Sequence, residues 1–566
     1  MVCHPPTDRK APVPPCRLRP PGRRPRNRPG TRSGTRPPVP TRALTAALAT
    51  AAAALALPCW PGGGTLAAQE PAVVPVPGLD DPAVRAVRSY REDHAASILR
   101  DYADFLEIPN VASDTANVRR SADHAVSMLR AVGVEAESWR LDGANPVVYG
   151  ELDVDPSAPT LGLYVHYDGQ PVDPDRWTHG PWTPVLYTRS MEAGGERIPF
   201  PEAGEAVDPD WRLYARSVAD DKAPVAALVT VLRALEEAEI RPTANLRFLL
   251  DGEEEAGSPH LADYASAHRE ALEAVDLWLF LDGPIHQSGR PQLVFGVRGV
   301  TGLDVTVYGA ARPLHSGHYG NWAPVPGQLL ADLLASMKDG DTGEVLVEGF
   351  YDDVAPLGPE ERAALEALPA YDAELKRELG LARTEGEPQE LARRITLPSL
   401  TVRGLSSGNV GERARNVIPS RARAALGIRL VKGTDPERMK DRVEAHVRDR
   451  GFHIVRREPD LATRRAHPKL VRVVRQGGYP AARTPMDDPM ARRAVEAARR
   501  AAGDELLLVP TLGGSLPLHL FTGELGAPTL VTPVANHDDN QHAPDENLRL
   551  GNFWYALDLY AALLTM

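Results

Sequence analysis

Short continuous apolar runs recur along this chain, and three of them end directly in histidine or acidic residues. Residues 161–165 lead into His166 and Asp168, residues 246–250 lead into residues 251–255, and residues 277–281 lead into Asp282. Runs of this length and composition predict buried parallel strands. Because ligands of open α/β sheets bind beyond the carboxyl ends of the strands, we expect these side chains at one common edge.

The wider pattern alternates between helical and extended segments from about residue 80 onwards. It predicts helices at 82–106, 121–132, 226–239 and 489–502, and strands at 146–152, 160–165, 246–250, 277–281, 506–509 and 529–533. A loop rich in Pro, Gly and Trp is expected at residues 170–210. This alternation is typical of a sheet with helices on both faces.

The pattern changes after residue 300. Leu303, Val305 and Val307 alternate with polar neighbours, which is typical of a half-solvated antiparallel strand. Residues 423–430 have the same alternation, and the charged segment 351–393 is predicted to be helical. The predicted fold class is therefore α/β: a catalytic domain with a mixed, mostly parallel sheet, interrupted by an inserted α+β domain.

The predicted domain organisation has four segments. They are a basic leader and signal peptide at 1–68, the first part of the catalytic domain at 79–300, an inserted lid and dimerisation domain at 301–482, and the second part of the catalytic domain at 483–566.

The distribution of charge and of cysteine excludes some partners and some metal ligands. Residues 1–68 contain eleven of the 64 basic residues but a single one of the 76 acidic residues, so the rest of the chain is strongly acidic. An acidic body argues against nucleic acid as a partner, because phosphate binding needs a basic surface. All three cysteines also lie in this leader, so any metal site in the body must be built from His, Asp and Glu.

The leader has the pattern of an export signal. A basic region ends at Arg42 and is followed by a small-residue apolar run at 43–57, which is the order expected of a secretory signal. The run is too short to span a bilayer comfortably. We therefore expect a periplasmic or extracellular protein with no integral membrane association after cleavage. A lipid anchor at Cys59, a twin-arginine signal and a disordered tail on a cytoplasmic protein stay open.

The histidine and acidic residues of the body fall into short motifs. They are VHYDG at 165–169, ADDK at 219–222, GEEEAGS at 252–258, LDG at 281–283, LHSG at 314–317, NVIP at 416–419, GGS at 513–515 and QHA at 541–543. Each alone has a structural explanation, such as a solvated charge run or a helix N-cap. In this order they resemble the co-catalytic di-zinc metallopeptidase and amidohydrolase superfamily of carnosinases, aminoacylases and glutamate carboxypeptidases. The long insertion looks most like the carnosinase-type dipeptidase branch.

The resemblance implies two zinc ions per chain, with manganese or cobalt as alternatives. Asp220 would bridge the two ions, His166 and Asp282 would complete one site, and Glu255 and His542 would complete the other. A mixture of imidazole and carboxylate ligands without thiols suits zinc or a similar divalent metal.

The resemblance also implies the catalytic roles. Asp168 would orient the imidazole of His166, and Glu254 would be the general base. Two ions about 3.5–4 Å apart would lower the pKa of a bridging water and polarise the scissile carbonyl. The assignment within the triple 253–255 depends on the alignment: the residues that follow favour Glu254 as the base and leave Glu253 as a bystander, and a shift by one residue stays open.

Four further residues would bind the substrate. By resemblance, His315 would reach from the insert into the active site of a second subunit to stabilise the oxyanion, so a homodimer is expected. Arg429 would hold the terminal carboxylate of the substrate, a task that suits the bidentate guanidinium group. Asn416 and Ser515 would bind the substrate as well. A purely surface role for Arg429 stays open.

Together these inferences predict an exported zinc metallopeptidase. It would hydrolyse the amide bond of dipeptides or small peptides with a free C-terminal carboxylate. An N-acyl-amino-acid amidohydrolase or a carboxypeptidase with the same metal chemistry is the alternative, and a non-catalytic peptide-binding protein is a more distant one. Arg216 stands where the family has a glycine-rich run, a departure that we expect to affect substrate fit more than metal binding.

Overall fold

A computed structural model describes residues 80–566, so the predicted leader and signal peptide at 1–68 lies outside the described residues. The helices of the described part are α1 (Pro82–Leu106), α2 (Thr115–Arg130), α3 (Lys222–Glu237), α4 (Leu261–Ala267), α5 (Arg269–Glu273), α6 (Ser316–Tyr319), α7 (Pro326–Ala335), α8 (Pro359–Ala367), α9 (Asp372–Glu378), α10 (Leu391–Ile395), α11 (Pro436–Asp449), α12 (Leu461–Ala466), α13 (Pro489–Ala502) and α14 (Leu550–Leu564).

The strands of the same region are β1 (Glu135–Trp139), β2 (Val147–Leu152), β3 (Thr160–His166), β4 (Val185–Tyr187), β5 (Arg197–Ile198), β6 (Arg212–Tyr214), β7 (Asn245–Asp251), β8 (Leu277–Phe280), β9 (Gln292–Val294), β10 (Gly296–Val297), β11 (Gly299–Tyr308), β12 (Leu314–His315), β13 (Ser399–Ser406), β14 (Val417–Ile418), β15 (Arg421–Leu430), β16 (His453–Val455), β17 (Leu470–Arg475), β18 (Ala482–Arg483), β19 (Leu507–Val509), β20 (Thr529–Val531) and β21 (Asn547–Arg549).

The central sheet has eight strands in the order β1-β2-β7-β3-β8-β20-β9-β19. The four middle strands β7, β3, β8 and β20 run parallel to one another, and the antiparallel pairings join β1 to β2, β2 to β7 and β20 to β9. Every residue of β3 is buried, as the continuous apolar run predicts for a strand covered on both faces. Gly162 lets the ring of Trp278 pack directly on this strand, since a Cβ there would lie 2.2 Å from the indole.

Helices cover this sheet and complete its core. The large apolar core includes residues of α1, α3, α13 and α14 together with those of β3 and β7. Helix α1 begins where the sequence predicts, because the Asp81 side chain accepts hydrogen bonds from the amides of Ala83 and Val84 and Pro82 stands at the first turn, a favourable pattern for a helix start.

The insert has its own five-stranded sheet, in the order β13-β15-β11-β17-β16. One face packs on α7 and α11 through a separate apolar core that includes Leu303, Val305 and Leu426. Alternate residues of β15 point away from that core and are exposed or half-buried. This confirms the prediction of an α/β fold with an inserted α+β domain, whereas the lid and dimerisation roles and the boundaries at 301 and 482 stay predictions.

Several local predictions differ from the structure. The predicted helices 121–132 and 226–239 are α2 and α3, which begin at Thr115 and Lys222, six and four residues earlier. The segment at 170–210, expected to be a loop, contributes β4 and β5 to a four-stranded sheet in the order β21-β6-β4-β5. Its short strands are separated by turn residues, so they carry too few alternating positions to be recognised. The charged segment at 351–393 forms three short helices, α8 to α10, rather than a continuous one.

Candidate active site

Three parallel strands bring the first histidine and acidic residues together. Strands β7, β3 and β8 are neighbours in the sheet, so their carboxyl ends lie at the same edge. His166 is the last residue of β3 and Asp282 follows β8 by two positions. Glu254 and Glu255 begin a short 3-10 turn just beyond β7. The edge predicted from the apolar runs is therefore formed.

Asp220 lies at the centre of this edge, two residues before the start of α3. One carboxylate oxygen, Oδ1, is 2.9 Å from Nε2 of His166, and the other, Oδ2, is 3.1 Å from Nε2 of His542. His542 comes from the long loop between β20 and β21. The two oxygens of a single carboxylate therefore face two different imidazoles.

The donor atoms form two groups that share this carboxylate. One group contains His166, Asp220 and Asp282, and the other contains Asp220, Glu255 and His542; in each, one oxygen or nitrogen atom per residue lies within 4.8 Å of the others. Three His and carboxylate ligands with room for water are the usual composition of a catalytic zinc site. The donor set therefore fits two divalent ions that share Asp220.

Asp168 connects the histidine strand to the glutamate turn. Its carboxylate accepts hydrogen bonds from the backbone amides of Glu254 and Glu255, at 3.0 and 3.1 Å. The Oδ1 atom also lies 3.5 Å from Nδ1 of His166. Asp168 is fully buried, so it holds the imidazole and the turn in a fixed relative position.

The three consecutive glutamates have different environments. Glu253 is engaged on both oxygens: Oε1 accepts from the amide of Asn145 at 2.8 Å, and Oε2 lies 2.7 Å from Nδ1 of His260. The side chain of Glu254 has no hydrogen-bond partner among residues 80–566.

Glu255 points into the cluster instead. Its Oε2 lies 3.4 Å from Nε2 of His542 and accepts a hydrogen bond of 2.6 Å from Nε2 of Gln170. Glu253 is therefore held by hydrogen bonds to Asn145 and His260, and Glu255 faces the donor cluster. The side chain of Glu254 makes no hydrogen bond to any described residue.

Burial and mutual repulsion perturb the carboxyl groups of the site. Burial, reinforced by the charge of Asp220, raises the pKa of Glu255 to about 8 and that of Asp282 to about 6. Burial also raises the pKa of Glu254 well above its usual value, helped by the neighbouring acids. Asp220 differs: burial opposes ionisation, but hydrogen bonds from His166 and His542 lower its pKa. Crowded, buried carboxylates of this kind are stabilised when divalent cations lie among them.

Glu546, which was not predicted from the sequence, fixes the backbone that leads to Asp220. This fully buried carboxylate accepts hydrogen bonds from the amides of Ser217, Ala219 and Asp220, at 3.0, 3.0 and 3.1 Å. It also pairs with Arg216 at 2.6 Å. Arg216, which departs from the glycine-rich run of the family, thus neutralises a buried acid. The position of Glu546, four residues after His542, was the one signal for it.

Two of the predicted substrate-binding residues meet at the end of the insert's sheet. The guanidinium group of Arg429 donates a hydrogen bond to Oγ of Ser515. Arg298, which was not predicted from the sequence, lies beside them. Its Nη2 donates to the carbonyl of Leu397 at 3.0 Å and to Oγ of Ser399 at 2.9 Å.

The other two predicted substrate-binding residues lie together elsewhere. His315 and Asn416 are both exposed, and β12 and β14 pair beside each other, with the amide of Ser316 donating to the carbonyl of Asn416 at 3.0 Å. The contacts of His315 are with Gly317, His318 and the paired strand. Within the described chain, therefore, His315 is not joined to the donor cluster.

Comparison with known proteins gives a consistent set of matches. The sequence pattern of peptidase family M20/M25/M40 matches residues 162–566. The Cys-Gly metallodipeptidase dug1 of Schizosaccharomyces pombe is 27% identical over 80% of this chain and 92% of its own length. Human Beta-Ala-His dipeptidase is 26% identical over 74% of this chain and 76% of its own length. The crystal structure of the M20 family metallo-carboxypeptidase Sso-CP2 from Sulfolobus solfataricus has a TM-score of 0.67 and 26% identity, and covers 82% of this chain and 98% of that chain.

The prediction of an exported protein is wrong by this comparison. The yeast Cys-Gly metallodipeptidases among the relatives are cytosolic enzymes. The predicted signal and the predicted lipid anchor at Cys59 lie outside the described residues, and no finding supports either. Among residues 80–566, no helix is both long enough and apolar enough to cross a membrane.

Proposed function

Because the chain belongs to peptidase family M20/M25/M40, we propose that it hydrolyses dipeptides or small peptides with a free C-terminal carboxylate. Membership confirms the predicted metallopeptidase and its resemblance to the dipeptidase branch. The observation that carries the proposal is the pair of donor groups that share Asp220, with the unengaged Glu254 beside them.

The proposed metal ligands are the five residues of those two groups. His166, Asp220 and Asp282 would hold one ion, and Asp220, Glu255 and His542 the other. Zinc suits this mixture of nitrogen and oxygen donors, with manganese or cobalt as alternatives. Bound there, two divalent ions supply a Lewis acid that lowers the pKa of water and polarises a carbonyl.

Glu254 is the proposed general base. It would take a proton from the attacking water at its carboxylate and pass that proton to the nitrogen of the leaving amine. Its burial and its freedom from other hydrogen bonds support this role, since a base needs an available oxygen and a raised pKa. Asp168 would position both the base and the His166 imidazole through the contacts it makes to each.

The carboxylate end of the substrate is proposed to bind at Arg429 and Ser515. Among residues 80–566, Arg429 has no acidic partner and is exposed. A guanidinium group without an acidic partner suits a carboxylate ligand, which it can bind through two parallel hydrogen bonds.

We further propose that the active chain is a homodimer. His315 lies on the insert, exposed, without a contact to the donor cluster of its own chain. Asn416 lies beside it on the paired strand. Both would contact substrate in the active site of the second subunit, where His315 would stabilise the developing oxyanion.

The substrate class is tested directly by product analysis. The zinc-loaded chain is incubated with free dipeptides, with their C-terminal amides, with N-acetyl amino acids and with longer peptides, and the products are identified by mass spectrometry. We expect free dipeptides to be cleaved fastest. Preferential cleavage of N-acetyl amino acids would favour an amidohydrolase, and removal of single residues from longer peptides would favour a carboxypeptidase, the activity named for Sso-CP2.

Metal content gives the next prediction. We expect two divalent ions per chain, complete loss of hydrolysis on exhaustive chelation, and loss of both ions in Asp220→Asn, because Asp220 belongs to both donor groups. Elemental analysis after dialysis measures this. Asp538→Asn is the matched control and should keep both ions. Asp538 lies in the same loop as His542, but its carboxylate pairs with Arg212 at 2.9 Å and belongs to neither donor group. One ion or none in the zinc-saturated chain, or activity that survives chelation, would contradict the proposal.

A further inference from the structure

A row of directly paired residues crosses the insert's sheet at the end where Arg429 lies. Val300 is paired with Arg429 on one side and forms an antiparallel bridge with Tyr479 on the other, with two backbone hydrogen bonds of 3.0 Å. Arg429 is in turn paired with Ser399. Side chains of directly opposed residues in antiparallel pairs point to the same face. Tyr479, Val300, Arg429 and Ser399 therefore share the face opposite the insert's core.

Two glycines allow Tyr479 to approach this strand so closely. A Cβ at Gly478 would lie 2.1 Å from the carbonyl oxygen of Val300, and one at Gly299 would lie 2.5 Å from the carbonyl oxygen of Tyr479. The phenol ring is fixed by stacking on His519, with a centroid distance of 4.8 Å and an interplanar angle of 8°. The position of Tyr479 is thus set by backbone and ring contacts, and its hydroxyl has no hydrogen-bond partner among residues 80–566.

Tyr479 lies within electrostatic range of both the proposed base and the proposed carboxylate anchor. Burial and the charge of Glu254 raise the pKa of Tyr479 to about 12, against the opposing charge of Arg429. The phenol is therefore protonated, and able to donate, throughout the neutral range. Neighbouring strands are about 4.8 Å apart, so two strand spacings, about 9.6 Å, separate the backbones of Tyr479 and Arg429. In a dipeptide, the leaving C-terminal residue would occupy the space between the scissile bond and the anchor.

We propose that Tyr479 is a further substrate-binding residue, whose hydroxyl donates a hydrogen bond to the C-terminal carboxylate of the substrate opposite Arg429. This inference rests on the proposed function, because it needs that carboxylate at Arg429. Ser399 lies at the other end of the row, where its Oγ atom accepts a hydrogen bond from the guanidinium group of Arg298. Tyr479 would then donate to one oxygen of a carboxylate whose two oxygens Arg429 binds, and this number of donors selects for a free carboxylate over an amide.

The test is Tyr479→Phe, which keeps the ring and its stacking on His519 and removes only the hydroxyl. We expect the KM of the zinc-loaded chain for a free dipeptide to rise about tenfold, as for loss of a hydrogen bond to a charged group. The kcat should stay within about twofold, because the contact is made equally in the ground and transition states. The kcat/KM for the C-terminal amide of the same dipeptide should not change.

Tyr90→Phe, on α1, is the matched control and should leave both substrates unaffected. Equal losses on the acid and the amide, or no loss on either, would overturn the role of Tyr479. The wild-type chain tests the proposed function separately: if it cleaves the acid and the amide equally well, the carboxylate requirement itself fails. Thermal unfolding of both variants confirms that the fold is retained.

Discussion

Replacing Glu254 by glutamine is expected to lower kcat by at least about 10³-fold, within the range that a positioned general base supplies, while two metal ions stay bound. The side chain of Glu254 is not a member of either donor group, so its loss removes proton transfer and leaves the metal ligands intact. Steady-state kinetics with elemental analysis of the same preparation measures both quantities.

Its neighbours in the triple provide matched controls. Glu255→Ala should lose at least one metal ion, because Glu255 faces His542 in the shared cluster. Glu253→Gln should keep its metal and most of its activity, since glutamine can still accept from the amide of Asn145. If Glu253→Gln were instead the inactive, metal-replete variant and Glu254→Gln turned over normally, the assignment would be displaced by one residue.

Two inactive variants are expected to restore activity to each other when their subunits exchange. His315→Ala should lower kcat about 10²–10³-fold, as for loss of an oxyanion donor, and Glu254→Gln should be inactive alone. In a mixed dimer, one active site carries both lesions and the other carries neither. After random exchange of equal amounts, half of the dimers are mixed, so activity should reach about a quarter of the wild-type value.

The control mixes two variants whose substituted residues both act in the active site of their own chain. Glu254→Gln mixed with Asp282→Asn should stay inactive, because every active site keeps one of the two lesions. Exchange is verified by mass spectrometry of differently tagged chains. Absence of recovery in the first mixture, once exchange is established, would mean that His315 acts within its own chain. A fully active monomer would end the proposal of a shared site.

The sequence predicted the parts of this fold that carry long periodic signals. Helices α1 and α13 begin and end where their patterns indicate, and β3 extends the predicted strand by one residue. Residues at strand ends could be placed for the same reason, since a buried strand fixes where the chain emerges. Short elements such as β5, with two residues, carry no comparable periodicity and could not be found.

Residues whose roles depend on contacts between distant segments of the chain could not be identified from the sequence. The role of Glu546 depends on the three backbone amides that it accepts from, 326 to 329 positions earlier in the chain, so its place four residues after His542 was a weak signal. Tyr479 is recognisable only from its bridge to Val300. Both depend on tertiary contacts between segments that no local pattern connects, whereas the proposed metal ligands stand in motifs.

The residues of the two donor groups are translated at different times, because they lie at different positions along the chain. The residues of the first group, His166, Asp220 and Asp282, are all translated before the inserted sheet begins at Gly299. The second group needs His542, which is translated after that whole insert. Because chains emerge from the ribosome at about 5–20 residues per second and fold as segments become available, the first group can gather its side chains more than about ten seconds before the second group is complete. A nascent chain that has not yet reached His542 therefore lacks one residue of the second donor group, although it already contains the whole first group.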